Sequence, residues 1–196
     1  MHVTAFEHGQ HFFNTYSEYF NNNYFIVELG SMNLNGSLRE ISPTTQYIGL
    51  DMCPGNGVDI VLEDPYVLPF ADNSVDVLVS SSCFEHTELF WISYLECLRV
   101  LKPNGLFYMN VPTTGWIHKC PVDCWRFWPD SGRALITWAK RNNMSPCLLE
   151  SYMDERLDYL DFVAVFCKSA EYKDLYPKRI CDSIPTPIME IRKDIF

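Results

Sequence analysis

Apolar positions along this chain fall into short runs closed off by polar turns. The runs at 25–27, 46–51, 58–62, 75–80, 106–111, 148–153 and 162–167 are rich in Val, Ile, Leu, Phe and Tyr, and Gly, Pro, Asn, Asp or Ser flank many of them. Such runs predict buried strands. The run at 75–80 is almost wholly apolar and predicts a central strand of a parallel sheet. Other segments carry a helical period. Phe12, Phe13, Tyr16, Tyr19 and Phe20 predict an amphipathic helix over 5–20, either packed on the domain or lying as a lid over a ligand. Leu89, Phe90, Ile92, Leu95, Leu98 and Leu101 predict a helix over 88–101, stopped by Lys102-Pro103-Asn104-Gly105, and 130–141 predicts another. Residues 116–129 fit nothing regular. Residues 169–196 are polar, carry Pro177, Pro185 and Pro187, and predict a surface arm. No repeat or linker divides the chain, so one domain is expected over 1–196, with its core at 24–168.

The first strand leads into Glu28-Leu29-Gly30-Ser31, a polar turn, and Gly36-Ser37-Leu38-Arg39-Glu40, where a helix can begin. Strand, Gly-bearing turn and helix start, early in an alternating chain, mark the place where doubly wound α/β proteins hold a nucleotide-like ligand. Gly30 permits close backbone approach and Gly36 a tight entry to the helix. The glycines stand six apart, so neither G-x-G-x-x-G nor G-x-x-x-x-G-K-[ST] is present. That argues against a pyrophosphate and for a ligand with a cationic centre, which Glu28 would face. Asp51 ends the second strand 23 residues after Glu28. A carboxylate there accepts from both ribose hydroxyls of an adenosine-containing cofactor. Met52 stands beside it for the adenine, and Asp64, after the third strand, for the adenine amino group.

Composition narrows the partners. The 196 residues are 47% hydrophobic and 20% charged, with formal net charge -10, which disfavours a nucleic-acid partner. No run approaches a membrane span, the N-terminus lacks the pattern of a signal peptide, and a cytoplasmic protein is expected. The eight cysteines are scattered and contain no C-x-x-C. His118, Cys120 and Cys124 lie close in sequence but lack an evident fourth ligand, so the expectation is reduced thiols and no metal.

Four stretches together carry a family likeness: Val27-Glu28-Leu29-Gly30-Ser31; Tyr47-Ile48-Gly49-Leu50-Asp51; Asp64-Pro65-Tyr66-Val67-Leu68-Pro69-Phe70 with Asn73-Ser74-Val75-Asp76-Val77; and Phe84-Glu85-His86 with Leu98-Arg99-Val100-Leu101-Lys102-Pro103-Asn104-Gly105. Over about 25–168 the chain resembles the class I S-adenosylmethionine-dependent methyltransferases of the type 11 branch. The family usually has further glycines at the positions of Met32, Leu34 and Asn104. The resemblance implies a Rossmann-like, doubly wound α/β fold with a seven-stranded, mostly parallel sheet whose last strand is antiparallel. It implies S-adenosyl-L-methionine as cofactor, with Glu28, Gly30 and Ser31 lining the methionine part. Asp51 would hold the ribose, Met52, Asp64 and Pro65 the adenine, and Ser81 would stand near the sulfonium.

Methyl transfer to a hydroxyl needs alignment and a base for the departing proton. His86, His118 and Asp123 are the candidates. Histidine titrates near neutral pH, and Asp123 can instead orient a histidine or bind sugar hydroxyls. The loop His118-Lys119-Cys120-Pro121-Val122-Asp123-Cys124-Trp125-Arg126-Phe127 is similar to P-x-D-x-W-R-F loops of methyltransferases that resemble those acting on surface sugars and glycans. There Trp125 would stack on a sugar ring and Arg126 bind a carboxylate or phosphate. Alternatively Arg126 pairs with Asp123 and the aromatics pack the loop. Three readings follow: an O-methyltransferase of a sugar, glycan or other small molecule; a non-catalytic relative that binds cofactor or partner; and a nicotinamide-dependent oxidoreductase, disfavoured by the missing glycine fingerprint. Oligomeric state stays open between monomer and homodimer.

Overall fold

The computed structural model describes residues 2–156, 160–185 and 187–196. Among them the strands are β1 (Ile26–Leu29), β2 (Tyr47–Asp51), β3 (Ile60–Val61), β4 (Val75–Ser81), β5 (Leu101–Pro112), β6 (Cys147–Asp154), β7 (Asp161–Cys167) and β8 (Ile188–Ile195). They form one sheet in the order β3-β2-β1-β4-β5-β7-β6-β8. From β3 through β5 all pairings are parallel, and β7 runs antiparallel between β5 and β6. The first seven strands therefore have the predicted arrangement. The chain winds outward from β1 to β3, then returns to add β4 and β5 on the other side. That reversal opens a crevice at the carboxyl ends of β1 and β4.

Alternation along β1 splits the core into two. Val27 and Leu29 face a layer containing α2 (Phe90–Val100) and α3 (Ser131–Arg141), built on Leu98, Phe107, Leu135 and Phe166. Ile26 faces the opposite layer, where α1 (Val3–Tyr16) brings Phe12, Phe13 and Tyr16 onto Tyr108 and Val165. The Phe12 and Tyr108 rings lie tilted to each other, 4.8 Å apart centroid to centroid. The buried Glu150 carboxylate accepts from Tyr16 Oη at 2.5 Å and from the amides of Ile180 and Cys181. It ties α1, β6 and the C-terminal segment together. Of the two readings for the N-terminal helix, packing describes its body.

Three elements depart from the sequence expectation. After Gly36 only one 3-10 turn forms, Leu38–Ile41, capped by Ser37 Oγ accepting from Arg39 N. Pro43 pushes Ser42 out of helical geometry and leaves no room for more. The polar segment 102–105 does not separate α2 from β5. It lies inside β5, where the register to β4 shifts between Val75 and Val77. The C-terminal arm ends in β8, an eighth strand antiparallel to β6. Its exposed Glu190, Lys193 and Asp194 are the charges that keep a sheet edge from pairing further. Among the described residues, no helix is long and apolar enough to cross a membrane.

Candidate active site

The crevice holds a cavity of about 800 Å³. One end is the β1 turn. Gly30 and Ser31 donate their amides to Leu50 O at 2.9 and 3.0 Å, so the turn bends back over β2. Met32 N donates to Asp51 Oδ2 at 3.1 Å, and Asn33 N to Asn56 O at 2.8 Å. Asn33 Oδ1 accepts from Gly36 N at 2.9 Å. Met32 turns its side chain onto Gly55, so the turn rests on the loop after β2. At Gly30 φ is +82°, and an added Cβ would stand 2.5 Å from Cys83 Cβ. The left-handed backbone and that clash together cost about 2–5 kcal/mol. Gly30→Ala is therefore expected to lower the melting temperature by roughly 5–15 °C, which a thermal melt checks.

Glu28, in β1, is buried and accepts from Tyr47 Oη at 2.8 Å. Burial pushes its pKa up to about 7, against the smaller opposing pull of that hydrogen bond. The folded chain thus holds a proton that the unfolded chain releases near 4.5. Its contribution is fully favourable below that value and declines as pH rises to about 7, by on the order of 3 kcal/mol. Glu28→Gln removes the titration, so its melting temperature should gain on the wild type by roughly 5–10 °C between pH 5 and pH 8. A constant difference across that range would remove the buried-acid assignment.

Of the predicted cofactor residues, Glu28, Gly30, Ser31, Gly36, Asp51, Met52, Pro65 and Ser81 all line this cavity. Asp64 does not. Its carboxylate accepts from Tyr66 N at 2.9 Å and caps its own turn, facing solvent. His86 and His118 line the far end, with Cys120, Pro121 and Val122 from the 116–129 loop. Their rings stand edge to face, 4.9 Å apart. His86 Nδ1 lies 2.5 Å from Val122 O, and burial lowers the pKa of His86, so near pH 7 its ring is neutral with Nδ1 as donor. His2, just before α1, also reaches the cavity wall.

The rest of the loop serves itself. Asp123 accepts from both terminal nitrogens of Arg126, at 2.5 and 2.8 Å, and from His118 N at 2.8 Å. The Arg126 guanidinium holds the Asp123 carboxyl well below the usual carboxylate range. An acid so held is not placed to take up a proton near neutral pH. Cys124 N and Trp125 N donate to Glu85 O, fastening the loop to the 3-10 turn Phe84–His86 that follows β4. Trp125 and Arg126 stand outside the large cavity. They line a second one of about 340 Å³ between α2 and α3, with Phe90, Trp91, Phe127 and Trp138.

Glu85 is the residue that sequence reasoning passed over. It is fully buried on the cavity wall, and among the described residues neither carboxylate oxygen has a hydrogen-bond partner. Burial pushes its pKa up to about 8. Its place in Phe84-Glu85-His86, at the end of the central strand, was the available signal. All eight cysteines are free thiols, and neither Cys120 nor Cys124 joins His118 in a cluster of metal-ligand type among the described residues.

The cradle suits a ligand that is cationic, partly apolar and rich in hydroxyls. Gly30 lines it, and Ser31 Oγ and Ser81 Oγ are buried with no hydrogen-bond partner among the described residues. Residues 30–109 match a family described as "Methyltransferase domain". That match, the relatives below and the fold together support a class I S-adenosylmethionine-dependent methyltransferase domain. S-adenosyl-L-methionine is the cofactor of this domain, and the donors above fit it. Over 88 residues the chain is 32% identical to malonyl-[acyl-carrier protein] O-methyltransferase of Methylococcus capsulatus, covering 39% of this chain and 32% of that protein. Over 50 residues it is 46% identical to an uncharacterized methyltransferase of Mycobacterium tuberculosis, covering 26% and 19%. The chain thus matches no more than about a third of these curated relatives' length. In fold it is similar to the Burkholderia thailandensis 1,6-didemethyltoxoflavin-N1-methyltransferase, solved with bound 1,6-didemethyltoxoflavin and S-adenosylhomocysteine. The TM-score is 0.62 at 11% identity, covering 84% of this chain and 78% of that one.

Proposed function

We propose that this protein transfers the methyl group of S-adenosylmethionine to a hydroxyl of a small molecule, with a sugar or glycan unit as the acceptor class. One observation carries the reading: a single cavity has the cofactor cradle at one end and Glu85, His86 and His118 at the other. When bound, the cofactor supplies an activated methyl on a good leaving group. The chain must then align the acceptor, shed water and take care of the proton.

Glu28 faces the cationic end of the cofactor, and Gly30, Ser31 and Gly36 form the turn around its methionine part. Asp51 accepts from the two ribose hydroxyls, Met52 and Pro65 flank the adenine, and Ser81 stands by the sulfonium. Asp64 has no part, because its carboxylate is taken by its own turn. His86 and His118 receive the acceptor hydroxyl at the far end. Asp123 and Arg126 act as positioning residues that hold the His118 loop. Trp125 offers a stacking face only in the second cavity, where the indoles of Trp91 and Trp138 stand beside it. The sugar class rests on the loop's likeness and on that cluster of indoles.

The test is release of S-adenosylhomocysteine over a panel of sugars, nucleotide sugars and other hydroxylated small molecules. Turnover on a sugar is the expected result. Binding of S-adenosylhomocysteine without turnover on any acceptor would favour the non-catalytic reading, which the unusual Met32 turn keeps open. Turnover confined to amines would move the acceptor atom from oxygen to nitrogen.

A further inference from the structure

At the acceptor end of the cavity three side chains converge that the cofactor cradle does not use. One ligand-type atom from each of Glu85, His86 and His118 lies within 4.8 Å of the other two. Glu85 brings a carboxylate with no exposed surface and no hydrogen-bond partner among the described residues. An uncompensated buried carboxylate is costly, and the nearby guanidinium of Arg126 is engaged by Asp123. His86 donates Nδ1–H to the Val122 carbonyl, which leaves the Nε2 lone pair aimed toward Glu85 Oε1, 3.7 Å away. His118 Nδ1 stands 3.0 Å from the Trp116 carbonyl. Imidazoles oriented by backbone carbonyls are how proteins hold metal-ligating histidines.

We propose that Glu85, His86 and His118 bind one divalent transition-metal cation. Two imidazole nitrogens and a carboxylate oxygen suit Fe²⁺, Mn²⁺, Co²⁺ or Zn²⁺, and three protein ligands leave coordination positions open to the cavity. From the sequence no metal is expected, because His118, Cys120 and Cys124 lack a fourth ligand; in the folded chain it is Glu85 and His86 that stand beside His118. The cation's part in the reaction rests on the methyltransferase reading above. Held on the cation, the acceptor hydroxyl gives up its proton to water more readily as its oxygen takes the methyl and the sulfonium leaves as a thioether.

The full chain, stripped of metal and without cofactor, is titrated with Co²⁺ and with Mn²⁺. One equivalent of each should bind, and the Co²⁺ form should show visible d–d bands without thiolate charge-transfer absorption. Glu85→Gln and His118→Gln should each weaken binding by at least about tenfold, while the Cys120→Ser/Cys124→Ser double variant keeps wild-type affinity. Glu85→Gln is isosteric and replaces a buried titratable acid with a neutral amide, so it should melt no lower than the wild type. The proposal fails if the folded chain binds neither ion, if Glu85→Gln binds as well as wild type, or if thiolate bands appear and vanish in the cysteine variant. S-adenosylhomocysteine binding is measured on the same samples. Its loss with metal binding intact would refute the methyltransferase reading and leave the metal site standing.

Discussion

Asp51→Ala is expected to weaken binding of S-adenosylhomocysteine by about a hundredfold or more. Two ribose hydroxyls donating to one carboxylate form two charge-assisted hydrogen bonds worth about 1.5–3 kcal/mol each, and every 1.4 kcal/mol is a factor of ten. Asp51 is well placed for this because its backbone is fixed in β2 and its carboxylate stands on the cavity wall. The same carboxylate also accepts from Met32 N, so alanine loosens the cradle as well. Asp51→Asn separates the two effects. It keeps an oxygen for the Met32 amide but loses the charge, and should bind about tenfold more weakly than the wild type. Titration calorimetry reads both, and a melt reports the structural share, expected at only a few degrees for one lost hydrogen bond. Unchanged affinity in Asp51→Ala would remove the ribose role.

His86→Ala should act on the other half of the reaction. With an acceptor that the wild type methylates, turnover is expected to fall at least about a hundredfold while S-adenosylhomocysteine affinity stays within about threefold. The reason is geometric. His86 is neutral near pH 7, its Nδ1 is fixed on Val122 O, and its second nitrogen faces Glu85 in the cavity wall. The loss is expected whether that nitrogen takes the proton itself or binds a cation that eases its departure. Asp123→Ala differs in kind. It releases Arg126 and the His118 amide together, so it should lower turnover through disorder of the loop and lower the melting temperature too. Kinetics paired with melts on the two variants distinguishes them. Wild-type rates in His86→Ala would mean that the acceptor end is misplaced.

Much of the fold was legible because its signals are local. The runs at 25–27, 75–80 and 106–111 are apolar because their strands are covered on both faces, and α2 and α3 show their period in the same way. Elements set by distant partners were not legible. β8 is polar at half of its positions and none of its residues is buried, so its sequence reads as an arm. The turn after Gly36 looked like a helix start until Pro43 is weighed against its length.

The site divides along the same line. Glu28, Gly30 and Asp51 stand at strand ends, where position follows directly from the strand pattern, and the cavity gathers them. Asp64 had the right strand end, but its side chain turned back to its own loop. Trp125 and Arg126 lie in an irregular segment whose path depends on the Glu85 carbonyl and on Asp123, contacts no periodicity announces. Glu85 stands in the Phe84-Glu85-His86 stretch that carries the family likeness, but nothing local in the sequence gives it a role. Only the three-dimensional packing shows that it is buried.

The central claim is that the crevice between β1 and β4 is an adenosyl sulfonium site. The most direct test is a crystal structure of the chain with S-adenosylhomocysteine. The expected result is a ligand in the large cavity, its ribose on Asp51, its amino acid end toward Glu28 and its sulfur pointing to Glu85 and His86. A cavity without the ligand at saturating concentration, or a ligand seated among Trp91, Trp125 and Trp138 instead, would contradict it.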